Sequence, residues 1–372
     1  MNQLTDGERF IRCVLGQKVD RVPYGVGIGW RTWPATLERW KNETGDGGLT
    51  PSQALGYDYR DALPAHEQGI FPQFEPVVIE ETDEFIVSRN ERGITMRNRR
   101  DLGSMPEFLD YPVKTRDDWE RLKAERLDPD APGRIWQDWD AFRERIGRTG
   151  EAVLAGVYPH GVFGACRELM GAEELLISFY TEPELVKDMM NHLATLWISI
   201  WRRFADEARI DRIHIWEDMS GRQGSLISPR MVNEFMMPCY DRIAAFAKEA
   251  GVRVISVDTD GDCRELVPIF IEHGVNMVYP FEVQAGNDIF RYRREYPRLG
   301  ILGGLDKRAL AVGKAAVDRE VDRAREMLKN GRYIPCYDHL IPPDVSWEMF
   351  KYSSERLREV CFGTVPPAQV PG

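Results

Sequence analysis

No apolar run in the sequence approaches the roughly 18 residues needed to span a bilayer, and a composition 43% hydrophobic and 29% charged is that of a globular chain. A membrane role is therefore not expected. The N-terminal stretch MNQLTDGERFIRCVLGQ lacks the continuous apolar core of a secretory signal. Its charged and apolar residues alternate at helical spacing, which predicts the first helix of the mature fold. Basic blocks are missing as well. The net charge is −11 and acids and bases interleave, so there is no phosphate-tracking surface and no nucleic-acid partner is expected. Cysteine is sparse, with six residues, Cys13, Cys166, Cys239, Cys263, Cys336 and Cys361, and no C-x-x-C spacing. In a chain long enough to bury its own core this predicts reduced thiols and a cytoplasmic protein. Most of these cysteines are expected as small buried hydrophobes, with Cys336 held apart as the exception. No tandem repeat, low-complexity tract or flexible linker interrupts the chain, which predicts one domain over residues 1–372.

What is present is alternation. Short β-branched runs follow one another at 22–28 (VPYGVGI), 54–58 (ALGYD), 152–158, 210–216, 252–258, 276–281, 299–304 and 332–338. Amphipathic helical stretches separate most of them, the pattern of a parallel sheet built from βαβ units. Eight such strands close a (β/α)8 TIM barrel, and this is the predicted fold. Helix starts are readable at Thr181-Glu182-Pro183-Glu184, as a capping box with an early proline, and at Ser228-Pro229; one helix stops at Gly331. The segment Pro76–Arg100 breaks the rhythm. It alternates at period two around Asn90-Glu91-Arg92-Gly93, which predicts an antiparallel β-hairpin within an insertion spanning 76–112, followed by a loop and short helix back to the barrel.

Barrel active sites form at the C-terminal ends of the strands. That rule selects Trp30 and Trp33, Tyr158 and His160, Glu217 and Asp218, Asp258 and Asp260, Glu282, Asp306 and Lys307, and Cys336, Asp338 and His339. Each also has an ordinary reading. Asp260 or Asp262 can cap the helix that follows, Glu217 and Asp218 can pair with Arg222, the tryptophans can be core packing, and the histidines can be loop residues. As a set they offer more, because Asp258 and Asp260 are two apart on one strand end and project to the same side. With His339, and with Glu217 available, they offer an oxygen, oxygen, nitrogen donor set, suited to zinc or a harder divalent metal and leaving a position open for substrate.

Four phrases, ERFIRCVLGQKVDRVPYG (8–25), ISPRMVNEFMMPCYDRI (227–243), GILGGLDKRAL (300–310) and HLIPPDVSWEMFKY (339–352), together resemble the uroporphyrinogen decarboxylase superfamily from end to end. That superfamily contains haem-pathway decarboxylases and, separately, cobalamin-associated methyltransferases. The decarboxylases carry an Arg-Gln-Ala-Gly-Arg-like stretch after the first strand, and this chain has GVGIGWRTW, with Arg31 alone among aromatics. In the methyltransferases the metal site reads His-x-Cys and a distant Cys, and those positions fall on Asp258-Thr259-Asp260 and His339. The resemblance is greatest to the O-demethylase-like branch.

That resemblance implies transfer of a methyl group from a small, methoxylated substrate to a corrinoid. Asp258, Asp260 and His339 would hold a divalent metal, with zinc expected. Glu217 or Asp218 would protonate the leaving oxygen, and Trp30, Trp33, Tyr158, His160 and Glu282 would line the substrate pocket. The corrinoid would come on a partner protein, since the chain has no Asp-x-His-x-x-Gly signature. The insertion is expected to guide that partner or to make a homodimer. Two alternatives stay open: metal-assisted decarboxylation or lyase chemistry on a small acid anchored by Arg31, Arg167 or Lys307, and a catalytically decayed binding protein.

Overall fold

Parallel strands cannot be joined by tight turns, so each apolar run must be followed by a crossover that returns the chain to the same end of the sheet. The computed structural model describes residues 3–58, 61–100 and 105–363. Its first strands in chain order are β1 (Asp61–Ala62), β2 (Val77–Glu81), β3 (Phe85–Arg89), β4 (Thr95–Arg99), β5 (Glu107–Asp110), β6 (Ala152–Ala155) and β7 (Arg212–Trp216). They are followed by β8 (Ser220–Gly221), β9 (Gly224–Ser225), β10 (Val254–Thr259), β11 (Met277–Pro280), β12 (Gly300–Leu302) and β13 (Tyr333–Ile334). Seven of these form one parallel sheet in the order β1-β6-β7-β10-β11-β12-β13, curled as in a (β/α)8 TIM barrel. Helices such as Pro183–Glu207 and Met237–Glu249 pack on the outer face, each burying an apolar stripe. No helix among the described residues is long and apolar enough to cross a membrane.

The expected first strand is not a ladder. Residues 22–28 run irregularly into a 3₁₀ turn at Ile28–Trp30, and closure rests on a parallel bridge between Thr32 and Ile341. Glycines account for this. Gly25 and Gly27 hold φ of 78° and 102°, outside the strand region. A Cβ on Gly27 would lie 2.8 Å from Cys336 Sγ, and one on Gly29 only 2.1 Å from the Tyr337 carbonyl oxygen. Close backbone approach replaces hydrogen bonding here. Residues 54–58 are not a strand either. Pro51 opens a short helix, Pro51–Ala54, which ends near Gly56 in the left-handed region at φ 65°, and the strand comes later as β1.

The hairpin around Asn90–Gly93 is present as β3–β4, but it is the middle of a four-stranded antiparallel sheet, β2-β3-β4-β5. The short helix expected after it is Arg116–Arg126, opened by a Thr115/Asp118 capping box, whereas the Glu107–Asp110 stretch read as loop is β5. The capping box expected at Thr181 does not form; the Thr181 hydroxyl instead donates to the Ile177 carbonyl. Ser228 does cap, accepting from the Met231 N–H at 3.3 Å.

The N-terminal helix, Asp6–Val14, is fastened by Arg9, which is buried and donates to both oxygens of Asp20 at 2.8 and 2.9 Å. Burial opposes ionisation of Asp20, but Arg9 and the Leu4 N–H outweigh it and hold the carboxyl down at about 2. A depressed carboxyl stabilises the fold above its unfolded value and loses that contribution as pH falls through the folded one. Stability is expected to drop by about 2 kcal/mol between pH ~4 and ~2 through this group. In denaturant titrations across that range, Asp20→Asn should remove this part of the acid-induced loss and lower stability near neutrality.

Candidate functional site

The strand ends bring together three of the predicted residues. Among the described residues, the ligand atoms of Asp260, Glu282 and His339 all lie within 4.8 Å of one another. They follow β10, β11 and β13, so three separate crossovers converge on one point. Asp260 Oδ2 is 3.2 Å from His339 Nε2. Burial raises the Asp260 carboxyl despite that contact. Burial works against a charged His339 ring, but the hydrogen bond and charge of Asp260 outweigh it and raise its pKa. Side-chain exposures of 20% for His339, 26% for Asp260 and 25% for Glu282 leave the cluster open on one side, as a catalytic metal site requires. The other Asp260 oxygen, Oδ1, is buried without a hydrogen-bond partner.

Two buried residues build the frame around this cluster. Asp338 is wholly buried, and its carboxylate accepts from the Val283 N–H at 2.8 Å and the Lys307 N–H at 3.1 Å, tying the loops after β11 and β12 beside His339. Asn287 donates to the carbonyls of Gly261 and Glu282 at 2.8 and 3.0 Å. Glu282 is oriented by the Gly261 N–H, 2.9 Å from Oε2, and by Lys307 Nζ, 3.5 Å from Oε1. Asp338 and Lys307 sit at strand ends that the sequence marks. Asn287 carries no such mark, because it lies on a loop whose path only the fold defines.

Asp258 stands outside the cluster. The period-two argument stops at Thr259, where β10 ends, so Asp260 already lies beyond the strand. Asp258 lies in register between Trp216 and Tyr279. Burial, with Asp260 and Asp218 nearby, pushes its carboxyl well above the usual range. Glu217 is fully buried. Its Oε1 accepts from the Val162 N–H and the Tyr240 hydroxyl at 3.0 and 2.6 Å, and its Oε2 from the Phe163 and Gly164 N–H groups at 2.7 and 3.0 Å. It satisfies the N-terminus of the helix Val162–Met170. Asp218, at φ 42°, pairs with Arg167 at 2.5 Å.

The remaining predicted residues lie apart. Trp30 is 3% exposed, packed edge-on against Tyr24 and Tyr57 with centroids 5.0 and 5.2 Å away, so it belongs to the core. Half-buried Trp33 precedes the helix Pro34–Thr44 and donates its N–H to the Ile341 carbonyl. Tyr158 and His160 border a cavity of about 310 Å³ that shares no residue with the Asp260 cluster. Cys336 is fully buried, and burial pushes its thiol up.

The uroporphyrinogen decarboxylase (URO-D) family model matches residues 87–360. Among solved structures, a methyltransferase from Methanosarcina mazei is similar over 96% of this chain and 99% of its own, with 15% identity and a TM-score of 0.58. This likeness is one of fold. A chain described as a vitamin-B12 independent methionine synthase from Listeria monocytogenes shares 13% identity over 60% of this chain and 68% of its own, with a TM-score of 0.35, too low to carry an argument. No curated protein matches the sequence.

Removing the Glu217 carboxylate would orphan four donors at once. Glu217→Ala is expected to cost roughly 3 to 5 kcal/mol in equilibrium unfolding, and Glu217→Gln less, because it retains one acceptor oxygen.

Proposed function

The chain belongs to the uroporphyrinogen decarboxylase family, and on that premise we propose that it is a methyltransferase moving a methyl group from a small methoxylated substrate to a corrinoid carried by a separate protein. The observation that carries this reading is the convergence of Asp260, Glu282 and His339, an oxygen, oxygen, nitrogen set partly open to solvent. The set fits a divalent cation such as zinc, because it has borderline and hard donors and a buried lone pair on Asp260 Oδ1 with nothing to accept from. When bound there, such an ion would polarise the substrate's ether oxygen and make it a better leaving group.

The chain's own residues orient and shield. Gly261 and Lys307 fix the direction of Glu282, Asp338 locks the loops on either side, and the supporting contacts hold the ligand geometry as outer partners do in metal sites generally. The proton for the leaving oxygen is assigned to Asp258, buried at the end of β10 two residues before the cluster. Glu217 is occupied by four hydrogen bonds, and Asp218 by Arg167. Of the three anchors of the rival decarboxylase reading, Arg167 faces Asp218 at 2.5 Å and Lys307 faces Glu282 at 3.5 Å.

Protein purified without an affinity tag should contain a divalent metal near stoichiometry by plasma mass spectrometry. Asp260→Ala, Glu282→Ala and His339→Ala should each lose it with the fold intact, while Asp258→Ala should retain it. Methyl transfer from methoxylated substrates should require an added corrinoid protein and fall at least ~100-fold in the three ligand variants. Metal-free protein that takes up no added zinc would sink the reading.

A further inference from the structure

The cavity beside Tyr158 lies between the helices Val162–Met170 and Pro183–Glu207 and the loop after β1, and the turn joining β3 to β4 covers it. Its walls are mostly apolar, including Leu63, Ile70, Leu169 and Leu193, and its volume falls at the small-ligand end of binding pockets. Its acids are Glu67, Glu91 and Glu168, of which Glu67 accepts from the Gly69 N–H at 2.7 Å and the Gln73 amide at 2.8 Å, and two nitrogen-bearing side chains bear on what it would accept. The first is His160. Trp201 Nε1 can only donate, and it donates to Gln68 Oε1 at 3.2 Å, so Gln68 must present its NH₂ group to His160 Nδ1 at 3.1 Å. The Val157 carbonyl, 3.1 Å from the same nitrogen, is already supplied by the His160 backbone N–H at 2.8 Å. Both contacts fall on Nδ1, and Nε2 stands over Gly69, where a Cβ would come within 2.6 Å. Burial keeps the ring neutral, with its pKa held down to about 3.

The second group is Arg92, on the turn between β3 and β4. Its guanidinium lies over the Tyr158 ring at 5.8 Å and faces Glu168 at 3.2 Å, yet its Nε is buried without a hydrogen-bond partner, as is Glu168 Oε2. The ion pair spans the cavity from the inserted sheet to the helix beneath without satisfying either group fully. His66, also at the wall, spends Nδ1 on the Pro64 carbonyl at 2.6 Å and is kept neutral by burial. Positive charge at the cavity thus comes from Arg92.

We propose that this cavity is a second ligand site, separate from the Asp260 cluster, for a small apolar monocarboxylate whose head is held by Arg92 and whose body rests among the leucines beside the His160 ring. Glu168 is the internal competitor that holds Arg92 when the ligand is absent.

The probe is 4-fluorobenzoate, followed by ¹⁹F line broadening with full-length, chelator-treated protein. It should bind saturably, with Arg92→Met weakening it at least ~10-fold, since a charge-assisted contact is lost. Glu168→Gln should tighten binding several-fold by freeing the guanidinium, a gain that a merely structural ion pair would not give, and 4-fluorobenzamide should bind ~10-fold more weakly than the acid. Thermal melting of each variant checks that it is folded. Absence of saturable binding, equal binding of the amide, or no gain in Glu168→Gln would overturn the proposal. So would binding that survives Arg92→Met but disappears in His339→Ala, which would place the probe on the metal cluster. Neither metal nor methyl transfer enters the readout, so failure here leaves the proposed function standing, and the converse holds.

Discussion

Backbone N–H groups at the rim of a parallel barrel have left the ladder and must find other acceptors, because burying them unpaired costs as much as a lost hydrogen bond. This molecule meets that demand with buried carboxylates. Glu217 gathers three N–H groups at the start of one helix, and Asp338 gathers two from neighbouring loops. Much of the acidity at the strand ends is therefore structural. The carboxylates left incompletely bonded, such as Asp260, are the ones with a lone pair to spare for a ligand.

That distinction explains what the sequence could and could not reveal. Strands β6, β7, β10, β11, β12 and β13 were legible because each is a compact apolar run between turn residues. The strand-end rule then located Asp260, Glu282 and His339 without any contact information. Which carboxylates are free was not legible, since Glu217 and Asp260 look alike in one dimension and differ only in how many N–H groups surround them. Asp258 shows the limit of periodicity, for a rule about alternating side chains holds only while the strand lasts. The first sector misled for a related reason: VPYGVGI has strand-like residues, but its glycines are there for close approach rather than pairing.

The two candidate sites lie at different strand ends, with β7 and its Trp216 between them in the sheet order. Tyr158, at the cavity, packs edge-on against Trp216 with centroids 4.7 Å apart, and Trp216 is in register with Asp258 beside the cluster. Arg167 lies over the same Trp216 ring at 5.0 Å while pairing with Asp218. This aromatic and cationic partition separates a mostly apolar space from an acidic one, so each can hold ligands of different character.

The seam of the barrel bears on how this molecule can change. A ladder constrains every residue along it, since a slip of one position turns all its side chains over. Here the first sector is held instead by scattered bonds: Ile341 donates to the Arg31 carbonyl at 2.9 Å, its own carbonyl accepts from the Trp33 N–H at 3.3 Å and the Thr36 hydroxyl at 2.8 Å, and the Val22 N–H donates to the Cys361 carbonyl at 3.0 Å. No ladder register runs through the residues before 31, yet Gly27 and Gly29 there have no room for a Cβ against Cys336 and Tyr337. Because Ile341 lies two residues past His339, variation in that segment reshapes the mouth of the barrel next to the metal-capable cluster and leaves the rest of the sheet intact.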